Sequence, residues 1–275
     1  MKNRIYMLKE YTNRQKMGFV IETEQGGYIL IDGGYTIEAD ETLNRIREIT
    51  GQKVPHLDAI ILTHPHADHI GVFNVLIEKH LDEFTFDHVY YCFPSVQYLV
   101  RGKEAQEDID DLTMFYSLLP KFADKAVILT GGDELEICGA QIDVLYTMDS
   151  EFTHNVANNA SSVFMLTLSG KKILFTGDCG VEAGNKMLRM CPEALKADIC
   201  QMAHHGQNGV TREFYEKVKP SVCLWCTPLW LWNNDAGKGY NTYLFKTVIV
   251  RGWMDEISPN RTDYITKDGE QLIEL

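Results

Sequence analysis

The chain has 275 residues, of which 45% are hydrophobic and 11% aromatic, so it can bury a full core and is not an intrinsically disordered protein. Its formal net charge of −13 repels phosphate backbones. Because no run of Lys or Arg supplies a basic patch, a broad nucleic-acid-binding face is not expected.

The first part of the chain predicts a hairpin followed by helices. Strand-like segments at 18–23 and 28–31 are joined by a glycine-rich turn, which is typical of a β-hairpin. A helix fits 37–50, where apolar residues recur near every 3.6 positions. The apolar segment 59–62 predicts a buried strand, and residues 70–80 form the helix that leaves it.

The rest of the chain repeats this order of strands before helices. One charged helix is predicted between residues 95 and 119, among further strands at 89–93, 126–129, 134–138 and 140–146. A hairpin of 162–168 with 172–175 then precedes helices and strands at 181–190, 199–203, 211–218 and 222–226.

This order predicts the fold class. Strands that first pair in hairpins, with helices after each half, favour an α/β (α+β) fold over an alternating parallel sheet. We expect a four-layer αββα sandwich of two mixed β-sheets flanked by helices. No linker or internal repeat divides the chain, so residues 1–275 are predicted to form a single domain.

The sequence also bears on the cellular compartment. No apolar run approaches the length of a membrane span, and the first twenty residues contain no apolar stretch of the signal-peptide kind. The seven cysteines are an odd number scattered through apolar segments, which suits reduced thiols. We therefore expect a cytoplasmic protein that does not enter the membrane.

A cluster of histidines follows the predicted strand 59–62. Three imidazoles and one carboxylate lie within six residues, at His64, His66, Asp68 and His69. These groups suit zinc, iron or manganese, and neighbouring side chains on a tight loop point to different sides. The loop is therefore predicted to bind metal and is able to serve two ions.

The order of the landmarks resembles the metallo-β-lactamase superfamily over nearly the whole chain. A strand ending in Asp32-Gly33 precedes the histidine loop, Gly177-Asp178 follows a later hairpin, and another strand ends in His204-His205-Gly206. The His-His-Gly and the stretch 158–163 are most similar to the branch that includes the hydrolase domain of DNA-uptake competence proteins and the phosphorylcholine esterases. Residues 263–269 also resemble the terminal hairpin of that branch.

The resemblance implies a binuclear metal-dependent hydrolase with assigned site residues. His64 and His66 would hold the first ion, Asp68 and His69 the second, and Asp178 would bridge both. His204, in preference to His205, would complete the second ion, leaving His205 to contact the substrate. Asp68 would also act in catalysis by orienting the nucleophile or relaying a proton, while Asp32 would hydrogen-bond the metal loop and select an imidazole tautomer.

One position departs from the superfamily pattern. Many members carry a third-motif histidine before the later hairpin, whereas this chain has Asn158 or Asn159, with His154 a few residues earlier as another candidate. An amide oxygen is a poorer zinc ligand than an imidazole, so the first ion would have fewer protein ligands. We expect Asn158 to lie at the substrate.

The implied cofactors are two divalent ions. Histidine and carboxylate ligands fit zinc best, with manganese or iron as alternatives. Two such ions can share one water and lower its pKa, so a metal-bridging hydroxide is the expected nucleophile. The expected substrate is a small phosphodiester or related ester. The alternatives are a carboxylic ester, lactone or thioester hydrolase, or a catalytically silent metal-binding sensor or scaffold.

An aromatic segment follows the His-His-Gly motif. Trp225, Trp230 and Trp232 lie close together in a loop-like sequence, and aromatic faces bind apolar or cationic groups. Trp230 is therefore a candidate for binding a small-molecule substrate. The alternative is a local hydrophobic cluster or a homodimer contact.

Overall fold

The computed structural model describes residues 2–275. Its strands are β1 (Arg4–Met7), β2 (Gly18–Glu22), β3 (Tyr28–Asp32), β4 (His56–Leu62), β5 (Thr85–Tyr91), β6 (Ala126–Ile128), β7 (Glu134–Ile137), β8 (Ala140–Tyr146), β9 (Val163–Leu168), β10 (Lys171–Phe175), β11 (Ile199–Gln201), β12 (Val222–Trp225), β13 (Thr262–Ile265) and β14 (Gln271–Glu274). The helices are α1 (Ala39–Thr50), α2 (Ala67–Lys79), α3 (Val96–Gly102), α4 (Gln106–Leu118), α5 (Val181–Met190), α6 (Ala203–Gly206), α7 (Arg212–Val218), α8 (Leu229–Trp232) and α9 (Thr247–Ile257).

The strands form two mixed sheets of seven strands each. The first sheet has the order β14-β1-β2-β3-β4-β5-β6 and the second has the order β13-β12-β11-β10-β9-β8-β7. In the first sheet the pairs from β14 to β3 are antiparallel and those from β3 to β6 are parallel. In the second sheet the pairs from β7 to β10 are antiparallel and those from β10 to β13 are parallel. Each sheet therefore changes from hairpins at one edge to parallel strands at the other.

Three layers of apolar contact hold the sheets and helices together. The central layer joins the two sheets, and in it the rings of Phe19 and Phe175 meet edge to face with centroids 5.2 Å apart. An outer layer packs α1, α2 and α4 on the first sheet, and another packs α5, α7 and α9 on the second. Each fully buried phenylalanine contributes about 1.5–3 kcal/mol through removal of apolar surface from water. The predicted αββα sandwich is confirmed.

The parallel strands place their carboxyl ends at one edge of the sandwich. In the first sheet β3 ends at Asp32 and β4 leads directly to His64. In the second sheet β10 leads to Asp178 and β11 leads to His205. Loops that follow parallel strands gather at the same edge of a sheet, which is where such folds build their ligand sites. The two sheets thus contribute opposite sides of one site.

The single helix predicted between residues 95 and 119 is wrong. The structure has two helices there, α3 and α4, because the chain turns at Lys103, whose φ of 61° is left-handed. Gly102 ends α3 against Val156, and a Cβ atom at Gly102 would lie 2.2 Å from Val156 Cγ2. The absent side chain therefore allows the end of α3 to approach the segment around Val156.

The predicted terminal hairpin is also wrong. β13 pairs in parallel with β12 in the second sheet, whereas β14 pairs antiparallel with β1 in the first. A 3-10 turn at Thr266–Asp268, followed by Gly269 with a φ of 99°, carries the chain from one sheet to the other. Within residues 2–275, no helix combines the length and apolar character needed to cross a membrane.

A buried acid joins α4 to α2, the helix that begins in the histidine loop. Asn74 Nδ2 donates to the backbone oxygen of Asp111 at 2.9 Å and to its Oδ1 at 3.3 Å. Burial raises the pKa of Asp111 to about 6, opposed by the Asn74 hydrogen bond and reinforced by Glu107 and the neighbouring aspartates of α4. The folded state therefore favours the protonated form of Asp111.

We expect Asp111→Asn to stabilise the protein at pH 8. Because folding raises the pKa of this aspartate, its favourable contribution is complete below about pH 4 and is lost as the pH rises through about 6. Asparagine mimics the neutral acid and accepts the Asn74 hydrogen bond at any pH. The free energy of unfolding should rise by about 1–3 kcal/mol at pH 8 and change little at pH 4, as measured by urea denaturation.

Asp110→Asn is the matched control, because Asp110 is an exposed carboxylate on the same helix. Asp110→Asn should not raise the free energy of unfolding by an amount that grows with pH. An Asp111→Asn protein with the same stability as the natural chain at pH 8 would contradict the raised pKa.

Candidate metal centre

A buried hydrogen-bond network anchors the histidine loop to the end of β3. Asp32 is fully buried, and its Oδ1 accepts the Thr63 backbone N–H at 2.8 Å. Its Oδ2 accepts the Thr63 hydroxyl at 2.7 Å and His69 Nδ1–H at 2.8 Å. Since Nδ1 of His69 carries the donated proton, Nε2 of this ring is left as the atom able to bind a metal.

Two groups of candidate ligands meet at one carboxylate. His64, His66 and Asp178 offer ligand atoms within 4.8 Å of one another, and we call this set the first group. The second group consists of Asp68, His69, Asp178 and His205, again within 4.8 Å. Asp178 belongs to both, as a bridging ligand must.

The distances from the Asp178 carboxylate to the imidazoles are close to those between two ligands of one ion. Asp178 Oδ1 lies 3.3 Å from His69 Nε2, while its Oδ2 lies 3.3 Å from His205 Nε2 and 4.0 Å from His64 Nε2. Two ligand atoms on one tetrahedral zinc are about 3.4 Å apart. Asp68 Oδ2 lies closer, at 2.9 Å from His205 Nε2.

The polar atoms at the centre of the groups are left unpaired. Nε2 of His64, His66, His69 and His205 and Oδ1 of Asp178 are all buried and have no hydrogen-bond partner among residues 2–275. Buried polar atoms without a partner are rare and destabilising, unless an ion or water satisfies them. The donor set therefore fits divalent ions, and no cysteine belongs to either group within that range.

The charges of the buried side chains also fit the binding of divalent ions. Burial would raise the pKa of Asp68, but His69 and His205 lower it to about 2. Burial would lower the pKa of His205, but Asp178 and Asp68 raise it to about 10. Protons on imidazoles thus balance the buried carboxylates in the metal-free protein. Divalent ions would take over this role, with release of protons.

The adjacent histidines of α6 sit in a left-handed turn. His204 and His205 have φ angles of 52° and 53°, which are uncommon for residues other than glycine and asparagine. His205 Nδ1–H donates to the Cys226 carbonyl at 2.8 Å, which turns its Nε2 toward Asp68 and Asp178. The following Gly206 has a φ of 76°, and a Cβ atom there would lie 2.4 Å from the Trp225 ring. The turn therefore requires a glycine at this position.

A cavity of about 460 Å³ opens beside His204. The His204 side chain is 18% exposed and its Nε2 lies 3.7 Å from Asp178 Oδ2. Burial lowers the pKa of His204 to about 4, although Asp178 opposes this, so the imidazole is neutral at pH 7. The charged side chains of the cavity wall are Glu104, Glu182 and Lys246.

The sequence profile of the metallo-beta-lactamase superfamily matches residues 12–83, which include the whole histidine loop. ComE operon protein 3 from Bacillus subtilis (strain 168) is 26% identical over 223 residues, which cover 75% of this chain and 26% of that protein. These matches support the resemblance of the chain to the metallo-β-lactamase superfamily. The chain spans about a quarter of the length of this relative.

Solved structures share the fold of this chain. The metallo-beta-lactamase fold protein YhfI from Bacillus subtilis is 13% identical with a TM-score of 0.56, and the match covers 99% of this chain and 100% of YhfI. CmlA, a diiron beta-hydroxylase from Streptomyces venezuelae, is 11% identical with a TM-score of 0.59, over 100% of this chain and 54% of CmlA. At such identities the likeness concerns the fold alone.

Within the metallo-β-lactamase fold of this chain, the geometry reverses the predicted assignment of the histidine pair. His205, and not His204, lies in the second group, while His204 faces the cavity where His205 was expected. Both residues are left-handed, so their side chains do not alternate as they would on an extended strand. The hydrogen bond to Cys226 decides which ring faces inward.

Two residues that were predicted to contact the substrate do not line the cavity beside His204. Asn158 is buried, its Nδ2 donates to Asn155 Oδ1 at 2.7 Å, and it belongs to neither ligand group. Trp230 donates its indole N–H to the Asn13 carbonyl at 3.0 Å and does not line the cavity beside His204. His154, the other candidate for the third motif, is exposed at the cavity wall.

Two acidic residues near the site have no predicted role. Glu104 Oε2 and Asp108 Oδ2 lie 3.6 Å and 3.9 Å from His66 Nε2. They are two of the 39 acidic residues of the chain, in a segment predicted as an unbroken charged helix, so no local pattern distinguishes them. The break between α3 and α4 brings them to His66.

We expect His205→Ala and His204→Ala to differ in metal binding. His205→Ala removes a member of the second group and should lower the affinity for one of two zinc ions at least about 10-fold. Even the loss of a residue that only hydrogen-bonds a metal ligand has an effect of this size. His204→Ala should leave both affinities unchanged, since its ring faces the cavity. Zinc titration in competition with a chromophoric chelator measures both variants, and equal losses would contradict the reversed assignment.

Proposed function

We propose that this chain is a binuclear metal-dependent hydrolase that acts on a small phosphodiester or related ester. The observation that carries the proposal is the pair of ligand groups sharing Asp178, with buried imidazole nitrogens that lack hydrogen-bond partners among residues 2–275. Such a donor set suits two divalent ions about 3.5–4 Å apart. Zinc is the proposed metal, and manganese and iron remain the alternatives, because His and carboxylate ligands are common to all three.

The side chains around the groups have distinct proposed roles. When bound, the divalent ions supply a water nucleophile at neutral pH and neutralise charge on the attacked ester. Asp68 belongs to the second group and lies beside His205, so we assign it to orienting the attacking water. The neutral His204 lies at the cavity wall, within reach of a substrate. We assign it to contacting the leaving group of that substrate.

One cation of the cavity wall, Lys246, supports an anionic substrate, whereas Glu104 and Glu182 on the same wall carry negative charge. Lys246 is exposed at the cavity wall, and its ammonium forms no ion pair with any residue in the range 2–275. An unpaired cation beside a metal centre attracts a phosphoryl group, which keeps a negative charge in a phosphodiester. The volume of about 460 Å³ suits a small molecule, and the net charge of −13 disfavours a nucleic-acid chain.

The zinc-loaded chain should hydrolyse a chromogenic phosphodiester such as bis(p-nitrophenyl) phosphate. Activity should disappear with a chelator and return with zinc, manganese or iron, and p-nitrophenyl acetate should be turned over less efficiently. Elemental analysis should find about two ions per chain. Preference for the carboxylic ester would favour a carboxylic ester, lactone or thioester hydrolase. Two bound ions without turnover of either substrate would favour a sensor or scaffold.

Lys246→Ala should raise the KM for the phosphodiester about 2–5-fold with little change in kcat. The reason is that an exposed charge contributes up to about 1 kcal/mol to binding an opposite charge. Lys238→Ala is the matched control, because Lys238 is exposed and lies outside the cavity wall. An unchanged KM in Lys246→Ala, or an equal change in both variants, would remove the support that Lys246 gives to an anionic substrate.

A further inference from the structure

A second cavity adjoins the one beside His204. It has a volume of about 250 Å³, and we call it the side pocket. Both cavities have Val181, Asn208 and Lys246 in their walls. Within residues 2–275, the wall of the side pocket includes neither His204 nor any member of the two ligand groups. The cavities are therefore neighbours, and a molecule that passes Lys246 can occupy both.

The chain that follows the left-handed turn of α6 builds one wall of the side pocket. Residues 207–211 all line it. A Cβ atom at Gly209 would lie 2.7 Å from Ala203 Cβ, so the missing side chain lets this segment pack on the start of α6. Asn208 Oδ1 accepts the Lys246 N–H at 3.1 Å, which ties the segment to the residue before α9. The wall is therefore fixed to the same turn that carries the inward-facing histidine.

Helices α5 and α9 supply apolar groups to the side pocket. Val181 is the first residue of α5, and its side chain is partly exposed. Trp253 lies on α9 and packs against the apolar layer between the second sheet and its helices. Val210 contributes a third apolar side chain to the wall. Aromatic and branched aliphatic walls of this kind bind apolar groups.

One polar group of the wall has no partner. Gln207 is 3% exposed, and its Oε1 is buried without a hydrogen-bond partner among residues 2–275. Such a buried acceptor is destabilising unless a water or a ligand donates to it. The side pocket therefore combines apolar walls with one unused acceptor, which is the usual composition of a small-molecule site.

The charges of the wall favour an uncharged group inside the side pocket. Arg212 forms ion pairs with Glu216 and Glu256 at 2.9 Å and 2.8 Å. Glu213 is exposed to solvent, where salt screens its charge. The remaining charged side chain is Lys246, which the side pocket shares with the cavity beside the metal centre. An anionic group is therefore expected at the junction of the cavities, and a neutral group beyond it.

The size of the side pocket suits part of a ligand. Pockets that hold a whole small ligand measure roughly 300–1,000 Å³, and this one is smaller. A phosphodiester carries two organic substituents on one phosphoryl group. His204, which we assign to the leaving group, lines the larger cavity and not the side pocket. The side pocket is thus available to the other substituent.

We propose that the side pocket binds the ester substituent that stays on phosphorus, and that this substituent is an uncharged, largely apolar group with one hydrogen-bond donor. The inference rests on the proposed phosphodiester hydrolase. Trp253 and Val181 would contact the apolar part, Gln207 Oε1 would accept the donated hydrogen, and Lys246 would neutralise the phosphoryl charge. Water oxygen bonds to phosphorus, the bond to the leaving oxygen breaks and that oxygen takes the proton, so the product is a phosphomonoester that keeps the bound substituent.

The first test measures binding of two such products to the zinc-loaded chain by calorimetry. Phenyl phosphate should bind at least about 10-fold more tightly than methyl phosphate, because even one methylene in an apolar pocket changes binding by about 10-fold or more. Trp253→Ala should reduce this preference to less than about 3-fold, and Trp253→Phe should keep most of it. Trp230→Ala is the matched control, because Trp230 is also partly buried but lines neither cavity, and it should keep the full preference.

The second test concerns the unused acceptor. The natural chain should bind 4-hydroxyphenyl phosphate about 2–10-fold more tightly than phenyl phosphate, which is the range for one neutral hydrogen bond. Gln207→Leu should abolish this difference and keep the preference for phenyl over methyl phosphate. Because the removed oxygen has no partner, thermal unfolding of Gln207→Leu should occur at the same or a higher temperature. Zinc content is measured for every variant, so that a damaged metal centre is recognised.

Turnover provides an independent measurement with a constant leaving group. Phenyl p-nitrophenyl phosphate should have a KM at least about 10-fold below that of methyl p-nitrophenyl phosphate, with a smaller difference in kcat. The difference in KM should nearly vanish in Trp253→Ala and persist in Trp230→Ala.

The outcomes separate this inference from the proposed function. Turnover of both diesters with equal KM, and equal affinity for phenyl and methyl phosphate, would overturn the side pocket and leave the hydrolase intact. Tight, Trp253-dependent binding of phenyl phosphate without turnover would support the side pocket and overturn the hydrolase. A preference that survives in Trp253→Ala, or that is lost equally in Trp230→Ala, would overturn the proposed location. An unchanged hydroxyl preference in Gln207→Leu would overturn the role of Gln207.

Discussion

The arrangement of the site depends on one buried negative charge. The Asp178 carboxylate is 1% exposed and is surrounded by imidazoles, with those of His69 and His205 at 3.3 Å and that of His64 at 4.0 Å. A charge removed from water is destabilising unless opposite charges or ions compensate it. Protonated imidazoles can do this in the metal-free chain, and divalent ions can do it in a loaded one. The shared carboxylate therefore determines which side chains must converge.

The fold brings these side chains together because the carboxyl ends of the parallel strands of both sheets lie at one edge of the sandwich. The first sheet delivers Asp32 and the histidine loop, and the second delivers Asp178 and His205. Three non-glycine residues here, Asp32, His204 and His205, have positive φ angles, each of which costs about 1–3 kcal/mol. Hydrogen bonds hold Asp32 to Thr63 and His69, and another holds His205 to Cys226. The stable sandwich thus offsets local strain at the site.

The reaction is decided by the donor set and the cavity rather than by the fold. A diiron beta-hydroxylase shares this architecture, so the sandwich itself accommodates different chemistry. In this chain the distinguishing groups are His204 and Lys246 at the cavity wall and the carboxylate of Glu104 beside His66. Lys246 and Glu104 place opposite charges on the wall of the same cavity.

The sequence alone determined the αββα fold, because hairpin turns and apolar periodicity are local signals. It also identified the histidine loop and Asp178, since a dense motif and the order of landmarks are visible along the chain. Tertiary structure alone decided which of His204 and His205 faces inward, because a left-handed turn and a contact with Cys226 set the ring orientation. It also decided that Glu104 lies beside His66, which happens only because the chain breaks between two helices and Glu104 accepts the Ala157 N–H. Both depend on contacts between residues distant in sequence, which no local pattern records.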